Sequence, residues 1–317
     1  MARYIVKRLI VTIITFFGIT IIVFFMANMA PGSPIDYLLS DPAMTAEEAA
    51  RRAAQLGLDQ PVYVQYFAWL GQLFKLNLGF SYRTYRSVSD MVFERLGNTV
   101  VLTGSSLILS YLIAIPIGIY SARKPYSIGD FAYSTSALII MAMPNFFVGM
   151  LLIFIFSVKL EWLPMSGMYS TNASRSMIDL LAHLAMPVLC LAVQQIGNIM
   201  RHMRSDMLEV LSEDYIRTAR AKGFRERRVV YTHALRNALT PMISLFSNSL
   251  PFLVGGAVVT EQVFSWPGIG MLMVNSITAR DYPVIMGITT IIAVTVLIGN
   301  LLLDILYGIL DPKIRYS

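Results

Sequence analysis

Residues 213–236 read EDYIRTARAKGFRERRVVYTHALR, a polar and basic stretch that follows Ser212 and is bracketed on both sides by residues suited to a bilayer. It has the character of a mechanical handle on a membrane protein that something else moves. Around it, 56% of the 317 residues are apolar, 14% are charged and mean hydropathy is +0.62. That is the composition of a polytopic membrane protein. The hydrocarbon core is about 30 Å thick, so a spanning helix needs roughly 20 mostly apolar residues. Six runs qualify: Leu9 to Ala30, Thr99 to Ser121, Tyr133 to Ser157, Ile178 to Met200, Leu239 to Thr260 and Pro283 to Leu303. Backbone groups in lipid must be satisfied inside the segment, so the expected fold is all-α with six transmembrane helices.

Arg3, Lys7 and Arg8 precede the first run, as in a signal peptide. The apolar stretch is too long for one and no clean small-residue cleavage pattern follows, so it reads as an anchor. With the N-terminus inside, sixteen Lys/Arg fall on the cytoplasmic side and nine outside, six of them between the first two spans, where the charge rule has little force. Both termini are therefore expected in the cytoplasm. The partition that follows has 1–30 as N-terminus and first span, 31–96 as an external loop, 97–307 as the membrane core carrying a cytoplasmic loop at 201–238, and 308–317 as a cytoplasmic tail.

The net charge of +6 sits mainly in loops beside the membrane, which points to lipid headgroups and an acidic protein surface rather than nucleic acid. The single cysteine, Cys190, permits no intrachain disulfide. In the external loop, Thr45 and Glu48 have capping-box spacing, so residues 46–56 read as a short exposed helix. A second begins near Pro61, with Tyr63, Tyr66, Phe67, Leu70, Leu73 and Phe74 at helical spacing. This amphipathic face serves either as a docking collar or as packing on the bundle.

Within 212–236, Ser212 reads as an N-cap, Glu213 and Asp214 complement the start of a helix, Arg220 and Lys222 complement its end, and Gly223 reads as the left-handed residue that closes it. Tyr215, Ile216, Ala219 and Lys222 share one face. A second short helix is expected from Glu226 to Asn237, with Pro241 opening the fifth span. The alternative is a solvated basic loop.

The chain has no G-x-x-x-x-G-K-[ST] phosphate loop, no H-E-x-x-H and no cysteine cluster, so it shows no ATP or metal site of its own and catalysis is not expected. His183 reads as a hydrogen-bonded structural residue. Asp304 is expected to pair with Arg123 or Lys124. Asn145, Gln194, Gln195, Asn198, Asn248 and Asn300 are the polar side chains available to line a pathway or bridge helices. Glu261, with Phe264 and Trp266 in a turn at the outer end of the fifth span, is a candidate for external contact with substrate or a binding protein, or simply faces water.

The run Arg217-Thr218-Ala219-Arg220-Ala221-Lys222-Gly223, followed by His233-Ala234-Leu235-Arg236, resembles the cytoplasmic coupling loop of ABC importer permeases, in the form found in the dipeptide/oligopeptide/nickel subfamily. The chain departs from the general loop at Arg217 (Glu there), Thr218 (Ala) and Arg236 (Pro), and these departures match the peptide subfamily's own form. Further segments agree: Arg3-Tyr4 through Arg8, Met29-Ala-Pro-Gly32, Leu96-Gly-Asn-Thr99, Met143-Pro-Asn-Phe146, Glu261-Gln-Val-Phe-Ser-Trp-Pro-Gly-Ile-Gly270, Arg280-Asp-Tyr-Pro283, Asp304 through Tyr307, and Asp311-Pro-Lys313. In this order and spacing they carry the resemblance along nearly the whole chain, to the first permease of the pair in that family.

The resemblance implies a type I (MetI-like) permease fold that pairs with a second, similar permease. Two ATPase subunits would bind ATP and Mg²⁺ beneath, and an external binding protein would deliver a peptide. It also implies that Glu213, Asp214, Tyr215, the Arg217–Gly223 run and His233–Arg236 seat an ATPase. Close relatives handle nickel complexes, glutathione and certain oligosaccharides. An ion-coupled secondary transporter is the competing class, which would show buried acids or broken helices in matched halves.

Overall fold

A computed structural model of the chain describes residues 2–29, 47–48, 51, 54, 59–171, 175–255 and 257–310. Most of the expected 46–56 helix, part of the Met29–Gly32 motif and residues 311–317 lie outside the described residues. Among the described residues the chain is helical, with one isolated bridge, Phe80 to Ser87. Five helices are long and apolar enough to cross a membrane, and a sixth span arises if one bent pair is counted together.

The chain divides into two compact units, residues 1–97 with 271–317 and residues 98–270. In the first, α1 (Ala2–Met29) packs along the last helix, Tyr282–Leu310. Most of the large side chains of α1 are apolar and exposed, among them Ile10, Ile13, Ile14, Ile22 and Met26, as befits a helix whose outer faces meet lipid rather than protein. Helix α2 (Val62–Phe74) buries Tyr66 and Leu70 with Val23, Phe24 and Met286. The Tyr66 hydroxyl and Thr20 Oγ1 lie 3.1 Å apart in a hydrogen bond. The packing reading of α2 is thus the one its buried residues support, while Tyr63, Phe67 and Phe74 along the edge of the same face stay exposed, the Phe74 ring 6.3 and 6.5 Å from those of Phe16 and Phe17. Asp304 pairs with Arg8 at 2.9 Å, not with Arg123 or Lys124.

In the second unit the long helix α3 (Val88–Arg123), which begins in the first unit, meets α6 (Met177–Ser212) at Gly118, where an added Cβ would lie 2.7 Å from Met203 Cβ. A small residue is what lets two backbones approach this closely. The expected third span is not one straight helix. It comprises α4 (Ile128–Ala142) and α5 (Asn145–Leu152, continuing as a π-helical turn to Lys159), bent by 103°. Pro144 cannot donate its nitrogen and drives Met143 to extended backbone, ψ 133°. The Met143 carbonyl freed by the break accepts from Gln194 Nε2 at 2.9 Å.

The motifs at 96–99 and 261–270 are two halves of one lock. Thr99 Oγ1 donates to Glu261 Oε1 and accepts from the Ile269 amide, both at 2.8 Å. Asn98 donates to the Pro267 carbonyl, and Trp266 Nε1 returns a bond to the Asn98 carbonyl. A Cβ on Gly268 would strike the Glu261 carboxylate, which explains a glycine there.

Thr99→Val keeps the shape but deletes the hydroxyl, leaving a buried Glu261 oxygen and the Ile269 amide each without that partner, and is expected to lower stability by about 1–3 kcal/mol. Thr99→Ser should hold near wild type. Thermal unfolding of the detergent-purified chain checks this, and coincident melting of the two variants refutes it.

Candidate functional site

Residues 213–236 form a knob rooted in apolar packing. Helix α7 (Asp214–Ala221) carries acids at its start and Arg220 in its last turn, in accord with its dipole. Its expected cap, Ser212, is instead the last residue of α6, with its hydroxyl spent on the Glu209 carbonyl, and Glu213 occupies the N-cap without a side-chain bond. Gly223 has φ +78°, the left-handed conformation expected of a closing glycine, and its amide bonds the Arg220 carbonyl.

The second short helix does not stand alone. α8 (Glu226–Arg228) passes through a π-helical turn, Val229–Ala234, straight into α9 (Leu235–Asn248), and Pro241 lies inside α9 instead of opening a span. The fifth span itself is interrupted, continuing as α10 (Leu250–Gly255) and α11 (Val258–Val263).

One face of the knob is buried. Ile216 is 0% exposed and Ala219 7%, in a cluster with Met203 and Met207 of α6, Val229, Val230 and Ala234 of the π-turn, and Ala238 and Met242 of α9. Burying the Ile216 side chain is worth about 1.5–3 kcal/mol. The other face is polar and exposed, presenting Asp214, Arg217, Thr218, Arg220, Ala221, Lys222 and Gly223. Asn237 Nδ2 reaches the Tyr215 hydroxyl at 2.7 Å, and the Phe224 ring stacks on His233 with Arg228 above it, its guanidinium carbon 4.9 Å from the ring centroid.

Arg220 grips Glu226 through two bonds of 3.1 and 2.8 Å, which hold the Glu226 carboxyl below its usual range and raise the guanidinium in turn. A depressed carboxyl stabilises above its unfolded pKa and loses that contribution as pH falls through the folded one, though half-exposure keeps the effect small. His233 and Leu235 are half-buried, Ala234 is buried and Arg236 is exposed.

A second anchor escaped local reading. Arg204 of α6 donates Nε and a terminal nitrogen to the two oxygens of Asp130 at the start of α4, each at 2.8 Å, and the Tyr126 amide donates to the same carboxylate. The partners are 74 residues apart, so nothing local signals the pair.

The pathway candidates scatter. Asn145 and Gln194 meet at the α4–α5 break, where Asn145 Oδ1 is buried without a partner among the described residues. Gln195 and Asn198 are half-buried on α6, Asn248 is exposed, and Asn300 belongs to the other unit. The external-contact candidates are corrected: Glu261, Phe264 and Trp266 are 0%, 1% and 0% exposed. Each faces inward, Glu261 and Trp266 because the lock consumes their polar atoms and Phe264 because it packs with Val148, Met186 and Cys190.

The model of the family "binding-protein-dependent transport system inner membrane component" matches residues 114–316, and that of its N-terminal membrane component matches 1–103. The chain is 44% identical over 317 residues to the oligopeptide transport system permease protein AppB of Bacillus subtilis. It is 36% identical over 335 residues to the di/tripeptide transport system permease protein DppB of Pseudomonas aeruginosa and 35% over 338 to the dipeptide permease protein DppB of Escherichia coli. All three alignments cover 100% of both chains. A solved structure of the MetNI methionine ABC transporter aligns with 66% of this chain and 93% of its own at 18% identity and TM-score 0.49, a likeness too slight to carry an argument.

Ile216→Ala is expected to loosen the root of the knob by about 2–5 kcal/mol. Amide hydrogen exchange over 214–221 should accelerate while amides of α6 before Met200 stay protected. Unchanged exchange in 214–221 would show that the buried face does not hold the segment.

Proposed function

The chain belongs to the binding-protein-dependent transport system inner membrane components, the permeases of ABC importers, and from that membership we propose that it forms half of an uptake pathway for peptides. As a multi-pass permease of this family it works with an ATPase and a substrate-binding protein. The peptide assignment draws support from relatives named for oligopeptide, di/tripeptide and dipeptide transport. The remainder of the assembly in this proposal is a second homologous permease and two ATPases that hold ATP and Mg²⁺. The membrane is the bacterial or archaeal inner membrane, with both termini cytoplasmic and the chain itself not catalytic.

One observation carries the mechanism. The knob offers an exposed polar face over 214–223 while Ile216 and Ala219 root it in the cluster that also contains α6 and α9 residues. A groove of the ATPase that grips the exposed face therefore grips the membrane helices too. Closure of the ATPase pair on ATP would carry the knob inward and tilt those helices between two rigid packings, one open to each side. The half-buried amides Asn145 and Gln194 at the broken span are the pathway candidates with most support, since Asn145 Oδ1 lacks a partner among the described residues.

Ala219→Glu, which forces a carboxylate into the apolar root, and Gly223→Pro, which cannot adopt φ +78°, are each expected to cut peptide uptake at least tenfold while the binding protein still binds peptide. Purification should recover this chain with a second permease and the ATPases. Uptake that persists without any ATPase, or collapses with an ionophore at constant ATP, sinks the reading in favour of ion coupling. Uptake of nickel complexes, glutathione or oligosaccharide with no peptide uptake would replace the substrate class alone.

A further inference from the structure

A cavity of about 330 Å³ opens beside the knob, lined by Arg123 and Lys124 at the end of α3, Arg220 of α7, Ser212, and an apolar wall that includes Leu208 and Leu211. Glu226 is its one acid. Three cations thus face one carboxylate, and that carboxylate is already held in two bonds by Arg220. Neither Arg123 nor Lys124 makes an ion pair with a described residue, and the Lys124 ammonium lies 5.7 Å from the Tyr120 ring centroid. Cations held together in a concave site without enough acids favour an anion.

The surroundings indicate which anion. Just past Lys124 the chain exposes Tyr126 (94%), Ile128 (91%) and Phe131 (72%). Exposed aromatic and aliphatic side chains directly after two cations at the end of a spanning helix are the pattern of a headgroup-level segment. The cavity is larger than a carboxylate needs, and its leucine wall suits a ligand with carbon beside its charge.

We propose that this cavity binds the phosphate of an anionic phospholipid headgroup, with Arg123 and Lys124 contacting the phosphate and Arg220 shared between it and Glu226. Basic pockets at the cytoplasmic edge of membrane helices take such headgroups. Because Arg220 lies on the knob, an occupied cavity ties the knob to the leaflet beside it. Only this last consequence rests on the reading of 213–236 as the ATPase seat.

The test uses the full chain in phosphatidylcholine nanodiscs containing graded phosphatidylglycerol, with retained lipid counted by native mass spectrometry. Wild type should retain phosphatidylglycerol over phosphatidylcholine, and 10 mM inorganic phosphate, on the order of a large excess, should not displace it. Arg123→Gln with Lys124→Gln should weaken retention roughly 30-fold, whereas Lys75→Gln with Arg175→Gln, an equal loss of charge elsewhere, should not. Leu211→Trp, which fills the cavity and leaves the charges, should also weaken it, and Glu226→Gln, which frees Arg220, should tighten it. Equal retention of the two lipids by wild type overturns the proposal. So does displacement by inorganic phosphate, undiminished retention in the Arg123/Lys124 or Leu211 variants, or a Glu226→Gln chain that binds no tighter. No ATPase is present, so a negative result leaves the importer reading intact, and failure of the ATPase to co-purify leaves the lipid result standing.

Discussion

Ile216 and Ala219 cannot leave their cluster without exposing apolar surface to water, and this constraint makes a polar loop behave as part of a membrane helix. Met203 and Met207 of α6 and Ala238 and Met242 of α9 are buried in the same cluster, so lifting the knob away from either helix would open a hydrophobic seam. Detaching residues 214–221 from the helices would expose this buried apolar surface. The Arg204–Asp130 pair adds a stiffer tie on the same helix, since separating it would leave a buried carboxylate without its two strongest donors. The cluster and the ion pair join α4, α6, α7 and α9 through contacts that do not depend on the long loops.

The same logic of satisfaction explains the irregular places. Helix breaks at membrane depth are tolerated where neighbouring side chains take up the freed backbone groups. At Met143–Pro144 the replacement is Gln194 of α6, and the Asn145 backbone carbonyl accepts from Cys190 Sγ at 3.4 Å. The lone cysteine thus packs as a small buried hydrophobe that also donates weakly to a broken helix.

Most spans were legible because uncharged length is a direct demand of the bilayer. Their ends were less so. α6 runs on to Ser212, beyond the apolar stretch, because Met203 and Met207 continue one buried face at i,i+4 while Arg201 and Glu209 stay outside. The turn at Gly223 could be read locally, since a left-handed residue closing a helix is a local property. Pro241 misled because its tolerance within α9 is decided by the surrounding helices, and Pro144, which does break its span, carried the same local signal. Glu261 read as exposed because a lone carboxylate in an apolar region usually is; its partner Thr99 lies 162 residues earlier, where no window finds it. The Arg8–Asp304 pair was missed for the same reason of distance.

The separation between Thr99 and Glu261 also bears on biogenesis. At roughly 5–20 residues per second, Asn98 and Thr99 emerge about 8–32 s before the turn that completes them. In that interval the polar groups of Asn98 and Thr99 must be hydrated or satisfied by temporary partners. A chain released before residue 261 would present those groups unmet.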